Sequence, residues 1–468
     1  MKDKRIVVLL KYFKGELNPF DGAALECALE TGAKEIIALS MAPMSALNAF
    51  QGVTRIGVKG IFISDPLYAG SDTQATSFIL VEALRRLKPD LIFSGRQSVD
   101  GDTAQVPPMI AQRLGFAVKT KAISFVSDTI TLRNGENFVP QEKTVITFEK
   151  IRTLRFPSIF SKLGEVEIWN NGILGLPKEK CGLQGSPTRV VKSYESSVGR
   201  RDCQFVGLES LDVLILQSLQ RQRVEDAETI SQQLEEIYFV GNVKSVAQRI
   251  AKRATELQTQ NKSAEEIAKD ILEKNVKTVL WEDSERLKVL ASQVAVLTGA
   301  GLCADCISFR VENKRLIMTR PALGGNVTAD IVCESELAFA TVRTVKKDGA
   351  DVIFSVGKGG VGELETIRQL AKKYGAEVCC SRIIADNGKL PYEKQVGLTG
   401  RTVGPKVYVA FGISGAVQHR AGMDQSAKII SINTDPNAPI NSIADYTIIG
   451  DAMDIIPKMI KSYKNNML

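Results

Sequence analysis

The residues best suited to chemistry lie in one segment near the C-terminus, GRTVGPKVYVAFGISGAVQHRAGM (residues 400–423), which contains His419, the only histidine of the chain. The apolar run 407–411 is typical of a buried strand, and the turn GISG leads into a helix predicted from Ala416 to Ala421. Such a turn aims backbone N–H groups, the positive end of a helix dipole and Ser414 at one point, where an anion is favoured. The segment therefore predicts a nucleotide site, although many α/β turns need glycine for conformational reasons alone.

A second strand is predicted at residues 429–432, ending in Asn433, and a proline-rich loop and a helix start follow it. The complete string is GLTGRTVGPKVYVAFGISGAVQHRAGM (397–423) followed by SINTDPNAPI (431–440). It resembles the FAD-binding domain of the electron transfer flavoprotein α subunit. The resemblance implies a Rossmann-like C-terminal domain that binds FAD and passes electrons between proteins.

The composition is that of an ordinary globular chain. Its 468 residues are 44% hydrophobic and 24% charged, with a formal net charge of +7, and this length suits two or three domains. Lysine and arginine are mixed with aspartate and glutamate, and no basic run carries interleaved aromatic residues, so a nucleic-acid partner is not expected. The basic excess suits dinucleotide phosphates or an acidic partner surface.

Neither a membrane span nor a metal centre is predicted. No apolar run approaches the ~18–20 residues of a transmembrane helix, and the apolar run at residues 6–10 is too short for a signal peptide. The eight cysteines lack the spacing of a disulfide framework, so a cytoplasmic location is expected. Cys303 and Cys306, and the adjacent Cys379 and Cys380, lie in apolar strand-like stretches and are interpreted as core residues rather than metal ligands.

The chain contains an internal repeat. Residues 109–125, MIAQRLGFAVKTKAISF, align without gaps with residues 293–309, QVAVLTGAGLCADCISF, so that Gly115 matches Gly299. Each copy is preceded by a buried-type strand and followed by a hairpin-like stretch. The repeat predicts an α/β protein with two pseudo-symmetric three-layer domains, followed by the C-terminal FAD-binding domain.

Both copies resemble parts of the same flavoprotein. The first, KPDLIFSGRQSVDGDTAQVPPMIAQRLG, resembles the β subunit, and its DGDTAQV stretch is closer to the anaerobic, electron-bifurcating type. The second, followed by TRPALGGNVTADIVCESELAFATVR, resembles the first domain of the α subunit. A β-like and an α-like subunit, usually a heterodimer, are thus expected in one chain, with a junction near residues 195–235. The expected domains are a β-like nucleotide-binding domain (1–205), a shortened α-like first domain (206–345) and the FAD-binding domain (346–468).

For the FAD-binding domain, the resemblance implies a set of cofactor contacts. His419 and the helix N-terminus would stabilise negative charge at N1 and O2 of the flavin, Thr399 would donate to N5, and Arg382 would place a cation near the ring. Lys358 stands where the family usually has arginine, so it can meet a phosphate only as a point charge, and Leu398 replaces a glutamine. The matching positions are Lys358, Ser381, Arg382, Val396, Gly397, Leu398, Thr399, Ser414, Gly415, Ala416, Val417, Gln418, His419, Asn433 and Asp451.

The family's β subunit has a second nucleotide site, which holds AMP in some members and a second FAD in the bifurcating ones. In this chain the matching loop lies between a strand and a helix, where backbone and hydroxyl groups can meet a phosphate. A polar loop that only caps the helix is the alternative, because aspartate and threonine are good N-caps. The matching positions are Asn18, Phe20, Asp21, Met41, Gly95, Asp100, Asp102, Thr103, Gln105 and Val106. Whether the second nucleotide is AMP or FAD stays open at this point.

Residues 154–159, LRFPSI, bear on the partner. They resemble a shortened form of the β subunit's recognition loop, which carries an apolar anchor into a flavin-dependent, acyl-CoA dehydrogenase-like partner. Ile159 occupies the anchor position, so docking is expected near Arg155 and Ile159. An ordinary exposed hydrophobic turn is the alternative.

Three functions are compatible with these features. The first is a single-chain electron carrier with one redox FAD, working between a flavin-dependent dehydrogenase and a further acceptor. The second is an electron-bifurcating flavoprotein with two FADs that oxidises NADH and is therefore an enzyme. The third is a nucleotide-binding enzyme or sensor, which lacks support because there is no P-loop and, with one histidine, no clustered acid–base set. No catalytic residue is assigned.

Overall fold

The computed structural model describes residues 1–195, 201–219, 232–344 and 349–465, with side chains up to residue 458. Contacts between residues divide the chain into two compact units. Unit 1 comprises residues 1–193, 230–323 and 329–342, and unit 2 comprises residues 194–229, 324–328 and 343–468. The expected junction at 195–235 lies partly outside the described residues, as does the expected domain boundary at 345/346. The three-domain division therefore stays a prediction.

The first repeat of unit 1 is built around a nine-stranded sheet. Its strands are β1 (Arg5–Leu10), β4 (Glu35–Met41), β5 (Lys59–Ile63), β6 (Leu91–Gly95), β7 (Ala117–Val126), β8 (Thr129–Leu132), β9 (Asn137–Phe138), β10 (Thr144–Phe148) and β11 (Val166–Trp169), and a small hairpin pairs β2 (Tyr12–Phe13) with β3 (Glu16–Leu17). Its helices are α1 (Pro19–Glu30), α2 (Leu47–Thr54), α3 (Thr73–Leu87), α4 (Val106–Leu114) and α5 (Asn171–Leu174). The spatial order is β11-β5-β4-β1-β6-β10-β7-β8-β9, parallel except around the hairpin strands β8 and β9.

Local sequence explains these elements. In β1 every residue from Ile6 to Leu10 is buried, as expected for a strand that has helices on both faces. Helix α3 begins after Asp72, whose carboxylate accepts hydrogen bonds from the amides of Gln74 and Ala75. Helix α4 ends at Gly115, which adopts the left-handed conformation that glycine tolerates. The sheet thus separates two hydrophobic cores, one on each face.

The second repeat contributes a five-stranded parallel sheet and most of a four-stranded sheet. The strands are β12 (Thr188–Glu195), β14 (Leu234–Val240), β15 (Ala251–Glu256), β16 (Thr278–Glu282), β17 (Gly301–Cys306), β18 (Ser308–Glu312), β19 (Arg315–Ala322), β20 (Val327–Cys333) and β21 (Ala338–Val342). The helices are α7 (Lys244–Ile250), α8 (Ala264–Glu273) and α9 (Glu285–Thr298). The orders are β15-β14-β16-β21-β17 and β12-β20-β19-β18.

The two repeats share their topology down to one irregularity. The order β4-β1-β6-β10-β7 in the first matches β15-β14-β16-β21-β17 in the second. Lys121 in β7 and Asp305 in β17 have φ angles of 60° and 61° and interrupt the register with β10 and β21. The amide of Lys121 donates to Oγ1 of Thr147, and that of Asp305 donates to Oγ1 of Thr341. The shared bulge confirms the predicted pseudo-symmetry.

Helices of the two repeats pack against each other within unit 1. Nε2 of Gln74 in α3 donates to the carbonyl oxygens of Ala295 (2.8 Å) and Ala300 (2.9 Å). Arg113 in α4 donates to Oε1 of Gln74 and to Oγ of Ser77. Since Gln74 is buried, these bonds satisfy polar groups at the centre of the contact between the repeats.

Unit 2 is a six-stranded parallel sheet. Its strands are β13 (Gln204–Phe205), β22 (Val352–Val356), β23 (Glu377–Cys380), β24 (Val407–Phe411), β25 (Lys428–Asn433) and β26 (Tyr446–Ile449), in the order β13-β26-β25-β24-β22-β23. Its helices are α6 (Leu211–Leu219), α10 (Leu364–Tyr374), α11 (Arg382–Asp386), α12 (Val417–Arg420) and α13 (Ala452–Asn465). The strand predicted at 407–411 is confirmed, whereas the helix predicted over 416–421 is a single turn. The predicted fold class, two pseudo-symmetric α/β domains and a Rossmann-like domain, is confirmed.

Within the described ranges, no helix is both long enough and apolar enough to cross a membrane. Cys303, Cys306, Cys379 and Cys380 are buried in the cores, as their apolar surroundings predicted. All eight cysteines are free thiols.

Candidate nucleotide sites

In unit 2 the predicted cofactor residues collect at one edge of the sheet. Lys358 follows β22, Ser381 and Arg382 follow β23, the segment 414–419 follows β24, Asn433 ends β25 and Asp451 follows β26. Because all these strands are parallel and adjacent, their carboxyl ends lie side by side. This edge is where open parallel α/β sheets bind their ligands.

Two glycine-rich loops meet at this edge through their backbones. The amide of Gly357 donates to the carbonyl of Phe411 (2.8 Å), and that of Gly359 donates to the carbonyl of Gly412 (3.2 Å). A Cβ atom on Gly412, whose φ is 61°, would lie 2.5 Å from the carbonyl carbon of Gly359. Glycine is therefore required here for both space and conformation. The approach brings the exposed Lys358 beside the GISG turn.

The GISG turn offers free backbone donors. Gly415 has a φ of 85°, and a Cβ there would lie 2.3 Å from the amide nitrogen of Ile440. The amide of Ile440 donates to the carbonyl of Ser414 and holds the turn in place. Among the described residues, none accepts a hydrogen bond from the amides of Ser414 through Val417. A phosphate or another anion could therefore accept several hydrogen bonds at this point.

The loop from Val396 to Thr399 lies against helix α12. The amide of Leu398 donates to the carbonyl of Gln418 at 2.6 Å. Gly397 has a φ of 139°, and a Cβ there would be 2.8 Å from the same carbonyl oxygen. Oγ1 of Thr399 accepts a hydrogen bond from Nε2 of Gln395 at 2.8 Å. Gln395 is a buried residue that the sequence analysis did not single out.

His419, which is expected to stabilise negative charge at N1 and O2 of the flavin, lies in the interior of unit 2. The ring is buried, and its Nε2 lies 2.9 Å from the hydroxyl of Tyr408, which is itself fully buried. Burial lowers the pKa of His419 to about 4, although the carbonyl of Val396 partly offsets the effect. The imidazole is therefore neutral at pH 7, and any stabilisation of negative charge at N1 and O2 must come from dipoles rather than from an imidazolium.

Two other predicted positions have structural partners of their own. Nδ2 of Asn433 donates to the carbonyl of Ile413 (2.8 Å), and Oδ1 of Asn433 accepts from the backbone amide of Asp435. Oδ1 of Asp451 accepts from the amide of Met453 and so caps the start of α13. Both residues brace the edge of the site, and a cofactor contact through either would add to these bonds or replace them.

The residues at this edge fit an FAD. Among the described residues none forms a hydrogen bond with the buried Oγ of Ser381. The neighbouring Arg382 pairs with Asp386 at 3.3 Å and keeps a third of its side chain exposed. An orphaned hydroxyl, an exposed lysine, a cation and a row of free amides together form a polar set larger than the fold requires. A dinucleotide offers matching acceptors in its pyrophosphate and in its ring carbonyls and nitrogens.

The candidate site of the first repeat is organised by Asp21. Its Oδ2 accepts from the amide of Lys11, which follows β1, and its Oδ1 accepts from the amide of Gly95, which ends β6. A Cβ on Gly95 would lie 2.3 Å from Oδ1 of Asp21. Burial raises the pKa of Asp21 to about 7, against the effect of these amides and of Asn18. Asp21 thus joins two strand ends and has both oxygens engaged.

Unsatisfied polar atoms lie beside this clamp. In the part of the chain that the structure describes, the buried Oδ1 of Asn18 has no partner, while Nδ2 of Asn18 donates to the carbonyl of Gln97. Asp100 pairs with Nζ of Lys11 at 3.1 Å, and its Oδ1 is likewise buried without a partner. Burial raises the pKa of Asp100, but Lys11 and hydrogen bonds from Ser98 and Gly101 outweigh it and hold the pKa below its ordinary value. Two free acceptors at one place suit hydroxyl or amino groups of a nucleoside.

The loop at residues 96–105 is strained. Asp102 and Ala104 have φ angles of 53° and 56°, which non-glycine residues rarely adopt. Such strain persists where surrounding structure imposes it and is concentrated at functional sites. Oδ1 of Asp102 accepts from Nε2 of Gln97, and the half-buried Thr103 lies between the two strained residues.

The start of helix α4 offers few backbone N–H groups to an anion. Its first residue is Val106, and the next two are Pro107 and Pro108, which carry no N–H. Gln105, directly before the helix, is buried with Nε2 unpartnered, and its Oε1 accepts from Thr73. A phosphate here would have to use loop amides and Gln105 rather than the helix terminus.

The remaining predicted positions line the same strand ends. The buried guanidinium of Arg96 lies over the ring of Phe20, 5.3 Å from the ring centroid. Arg96 also pairs with Glu149 at 3.3 Å. Met41 ends β4 and is half-buried against the hydrophobic core. Met41 therefore packs towards the core, and its contact with a nucleotide stays a prediction.

The second repeat has closed the equivalent position. Only residues 283–284 separate β16 from α9, whereas ten residues, 96–105, separate β6 from α4. Oε2 of Glu282 accepts from the amide of Asn242 and would lie 2.5 Å from a Cβ on Gly241. A carboxylate of the chain thus fills the place where the first repeat has Asp21 and open polar atoms.

The predicted recognition loop is an exposed apolar surface. Phe156, Ile159 and Phe160 are 93%, 84% and 86% exposed. Arg155 anchors the loop by donating from Nε and Nη2 to the carboxylate of Glu26, whose Oε2 also accepts the amide of Arg155. We call residues 154–163 the apolar loop. Its base is fixed, while its large side chains face solvent.

Comparison with known proteins decides the family. An "Electron transfer flavoprotein domain" model matches residues 6–137 and 244–378, more than half of the chain, and an "Electron transfer flavoprotein FAD-binding domain" model matches residues 348–424. The chain belongs to the electron transfer flavoprotein family. Of the two stretches matched by the first model, residues 6–137 begin in the first repeat and residues 244–378 begin in the second. The second model covers both glycine-rich loops and the segment that contains His419.

Three relatives illustrate the similarity within the electron transfer flavoprotein family. Protein FixB of Clostridium saccharobutylicum is 38% identical, over 37% of this chain and 66% of its own. The electron transfer flavoprotein subunit alpha of Thermoanaerobacterium thermosaccharolyticum is 36% identical, over 37% of this chain and 67% of its own. Lactate dehydrogenase (NAD(+),ferredoxin) subunit LctC of Acetobacterium woodii is 37% identical, over 38% of this chain and 54% of its own. The chain thus spans about two thirds of the first relative and just over half of the last.

Proposed function

We propose that the protein is a single-chain electron transfer flavoprotein, which carries electrons between a flavin-dependent dehydrogenase and a further acceptor through an FAD in unit 2. The observation that carries the proposal is the collection of predicted residues at the carboxyl ends of five adjacent strands, β22 to β26. The family assignment supports electron transfer as the activity. The protein would be a redox carrier rather than an enzyme that converts a substrate.

The chain's own residues would hold the FAD in a divided way. The free amides of Ser414 through Val417 and the ammonium of Lys358 suit the pyrophosphate. Ser381, Arg382 and Thr399 suit the ring, where a hydroxyl can donate and a cation can bias the reduction potential. Bound FAD would supply the one- and two-electron chemistry that amino-acid side chains do not provide.

We further propose that the first repeat is a β-like half and the second repeat with unit 2 an α-like half, joined in one chain. The matching topology of the repeats and the retained loop in the first alone support this assignment. The first repeat would bind a second nucleotide, AMP or FAD, near Asn18, Asp100 and Gln105. The unpartnered acceptors there suit the ribose or base of either nucleotide.

The alternative is an electron-bifurcating flavoprotein that holds two FADs and oxidises NADH. One observation favours it, namely the similarity to a subunit whose printed name includes NAD(+) and ferredoxin. The loss of two N–H donors at Pro107 and Pro108 weighs against a tightly held pyrophosphate in the first repeat. We therefore rank one FAD and AMP first, and two FADs second.

The apolar loop would dock the dehydrogenase partner. An apolar patch that stays exposed on a fixed backbone is typical of an interaction surface. The pair of Arg155 and Glu26 would hold Ile159 in position for insertion, without itself entering the partner. We keep the cytoplasm as the expected location, since eight free thiols suit a reducing compartment.

Extraction of the cofactors tests the proposal. The purified full-length protein is denatured, and its released nucleotides are separated by HPLC and counted per chain. One FAD with one AMP, and no anaerobic bleaching of the flavin by NADH, would support the electron carrier. Two FADs with bleaching by NADH would support the alternative. A colourless protein that takes up no added FAD would refute both.

A matched pair of lysines locates the FAD. Lys358→Ala should weaken FAD binding about tenfold, which is the range of a charge-assisted hydrogen bond. Lys389, also exposed and in unit 2, is the control, and Lys389→Ala should leave the affinity unchanged. Equal affinities of the two variants would remove Lys358 from the site.

A further inference from the structure

A buried amide lies behind the hydroxyl expected to face the flavin. Nε2 of Gln395 donates to Oγ1 of Thr399 at 2.8 Å, and the side chain of Gln395 is only 2% exposed. A threonine hydroxyl that accepts one hydrogen bond still carries one hydrogen to donate. The contact therefore fixes the oxygen and restricts the directions in which its hydrogen can point.

The backbone of Gln395 is itself firmly held. Its amide donates to the carbonyl of Tyr392, and its carbonyl accepts from the amide of Arg401. It forms a bridge with Cys380 at the end of β23, and a Cβ on Gly400 would lie 2.2 Å from its carbonyl oxygen. A residue fixed at this many points can hold a neighbouring side chain within a narrow range of positions.

We propose that Gln395 is a positioning residue: it strengthens the hydrogen bond that Thr399 donates to N5 of the flavin, and it directs the hydroxyl hydrogen towards N5. The inference rests on the proposed FAD site. Its physical basis is that a hydroxyl that accepts a hydrogen bond becomes polarised and donates more strongly, and more so in a buried environment. Gln395 would act through Thr399 and not touch the flavin.

The direction of the effect follows from the chemistry of N5. In oxidised flavin N5 is an acceptor, whereas reduction by two electrons with uptake of one proton from solvent places a hydrogen on N5. A donor at N5 therefore stabilises the oxidised form relative to the reduced one. Gln395→Leu should weaken that donor and raise the two-electron midpoint potential. A threefold to tenfold change in the redox equilibrium, about 15–30 mV, is expected.

A double-mutant cycle measured by spectroelectrochemistry on the FAD-loaded protein tests this. Thr399→Val removes the hydroxyl and should also raise the potential. In the Thr399→Val background Gln395→Leu should cause no further change, because there is no hydroxyl left to polarise. A shift that is equally large in both backgrounds would overturn the proposal.

A neutral variant of similar length keeps the proposal testable if Gln395→Leu fails to fold. Gln395→Met removes the donor to Thr399 and adds no charge beside the flavin. Its potential should shift in the same direction as that of Thr399→Val. A potential equal to that of the wild type would overturn the proposal.

A second buried amide–threonine pair provides the control. In the same unit Oδ1 of Asn441 accepts from Oγ1 of Thr447 at 3.2 Å, and Asn441 also braces the turn at Asp435 and Pro436. Asn441→Leu should lower the thermal stability without moving the flavin potential. If both amide variants move the potential alike, Gln395 acts only through stability and the inference fails. A wild-type protein that binds no FAD would instead refute the proposed function.

Discussion

The protonation of His419 offers the sharpest single test of this structure. The chain has one histidine, so its imidazole signals need no assignment. Burial lowers the pKa of His419 to about 4, and the hydroxyl of Tyr408 faces its Nε2. Burial also holds the pKa of Tyr408 well above its ordinary value, so the phenol stays protonated and can donate. We expect a neutral imidazole in the folded protein throughout the physiological range.

The magnitude follows from the difference between the folded and unfolded pKa. A pKa near 4 in the folded state and 6.5 in the unfolded state corresponds to about 3 kcal/mol of unfolding free energy. The unfolded chain binds the proton first as the pH falls. The stabilisation is therefore fully present above pH 6.5, about 2 kcal/mol of it is lost by pH 5, and nearly all is lost below pH 4.

NMR on protein selectively labelled at histidine measures this directly. In the oxidised, FAD-loaded protein, the imidazole carbon shifts should stay at their neutral values from pH 8 down to pH 5. Tyr408→Phe removes the donor to Nε2 and should raise the pKa by up to about one pH unit. A folded-state pKa near the ordinary value of 6.5 would refute the burial of the ring and the role of Tyr408.

A stability measurement must separate His419 from Asp21, because their effects have opposite signs. The pKa of Asp21 is raised to about 7, so its contribution favours folding more as the pH falls from about 7 towards 3.8. The two residues lie in different units. Acidification should thus increase the contribution of Asp21 to the stability of unit 1 and decrease that of His419 to the stability of unit 2. The pH dependence removed by His419→Gln, measured by hydrogen exchange in β24, isolates the histidine.

Three further outcomes are expected. Asp21→Asn should destabilise unit 1 by about 1–3 kcal/mol in urea unfolding, because asparagine has one acceptor oxygen for the two backbone amides that donate to Asp21. Unchanged stability would contradict the role of Asp21 in joining the two strand ends. Asp102→Ala combined with Thr103→Ala should release the second nucleotide and leave the FAD of unit 2 in place, as HPLC of the denatured protein would show, and joint loss of both would contradict separate sites. Ile159→Ser should slow electron transfer from the cognate dehydrogenase at least fivefold, about 1 kcal/mol, while Val139→Ser, at another exposed apolar position of the same unit (59% against 84% for Ile159), should not; equal rates would remove the apolar loop from the interface.

Much of the architecture could be predicted because it depends on patterns of neighbouring residues in the sequence. The strand at 407–411 follows from an unbroken apolar run, and the repeat follows from aligned glycines that end two helices in the left-handed conformation. Neither feature depends on distant residues. The shared bulge at Lys121 and Asp305 could not be read in this way, because its amide partners, Thr147 and Thr341, lie far along the chain.

The sequence indicates which residues gather at the edge of the sheet, but the surroundings of each side chain are visible only in the structure. The role of His419 at the flavin stays a prediction; its burial, which sets its charge, does not follow from the residue type. Gln395 was missed because a polar residue in an irregular loop shows no periodicity. The sequence does contain a signal for the weak helix start. Pro107 and Pro108 are visible in the sequence and already indicate that α4 begins without two of its usual N–H donors.

The difference between the repeats explains why one copy would keep a nucleotide site and the other would not. Both have the same strand order, so both bring two strand ends together at the same place. In the second repeat a two-residue connection leaves no loop to cover a ligand, and Glu282 occupies the space against Gly241. In the first, ten residues form a strained loop, and Asn18 and Asp100 keep buried acceptors without partners.

Strain and unsatisfied polar atoms both cost stability, and the second repeat forms the same strand order with a two-residue connection in place of the strained loop. A ligand that supplies donors to Asn18 and Asp100 would offset that cost, so nucleotide binding should stabilise the first repeat more than any other part of unit 1. The second repeat would have a structural role. Its helices bury Gln74 and Met109 of the first repeat and so complete a core that the first repeat alone would expose.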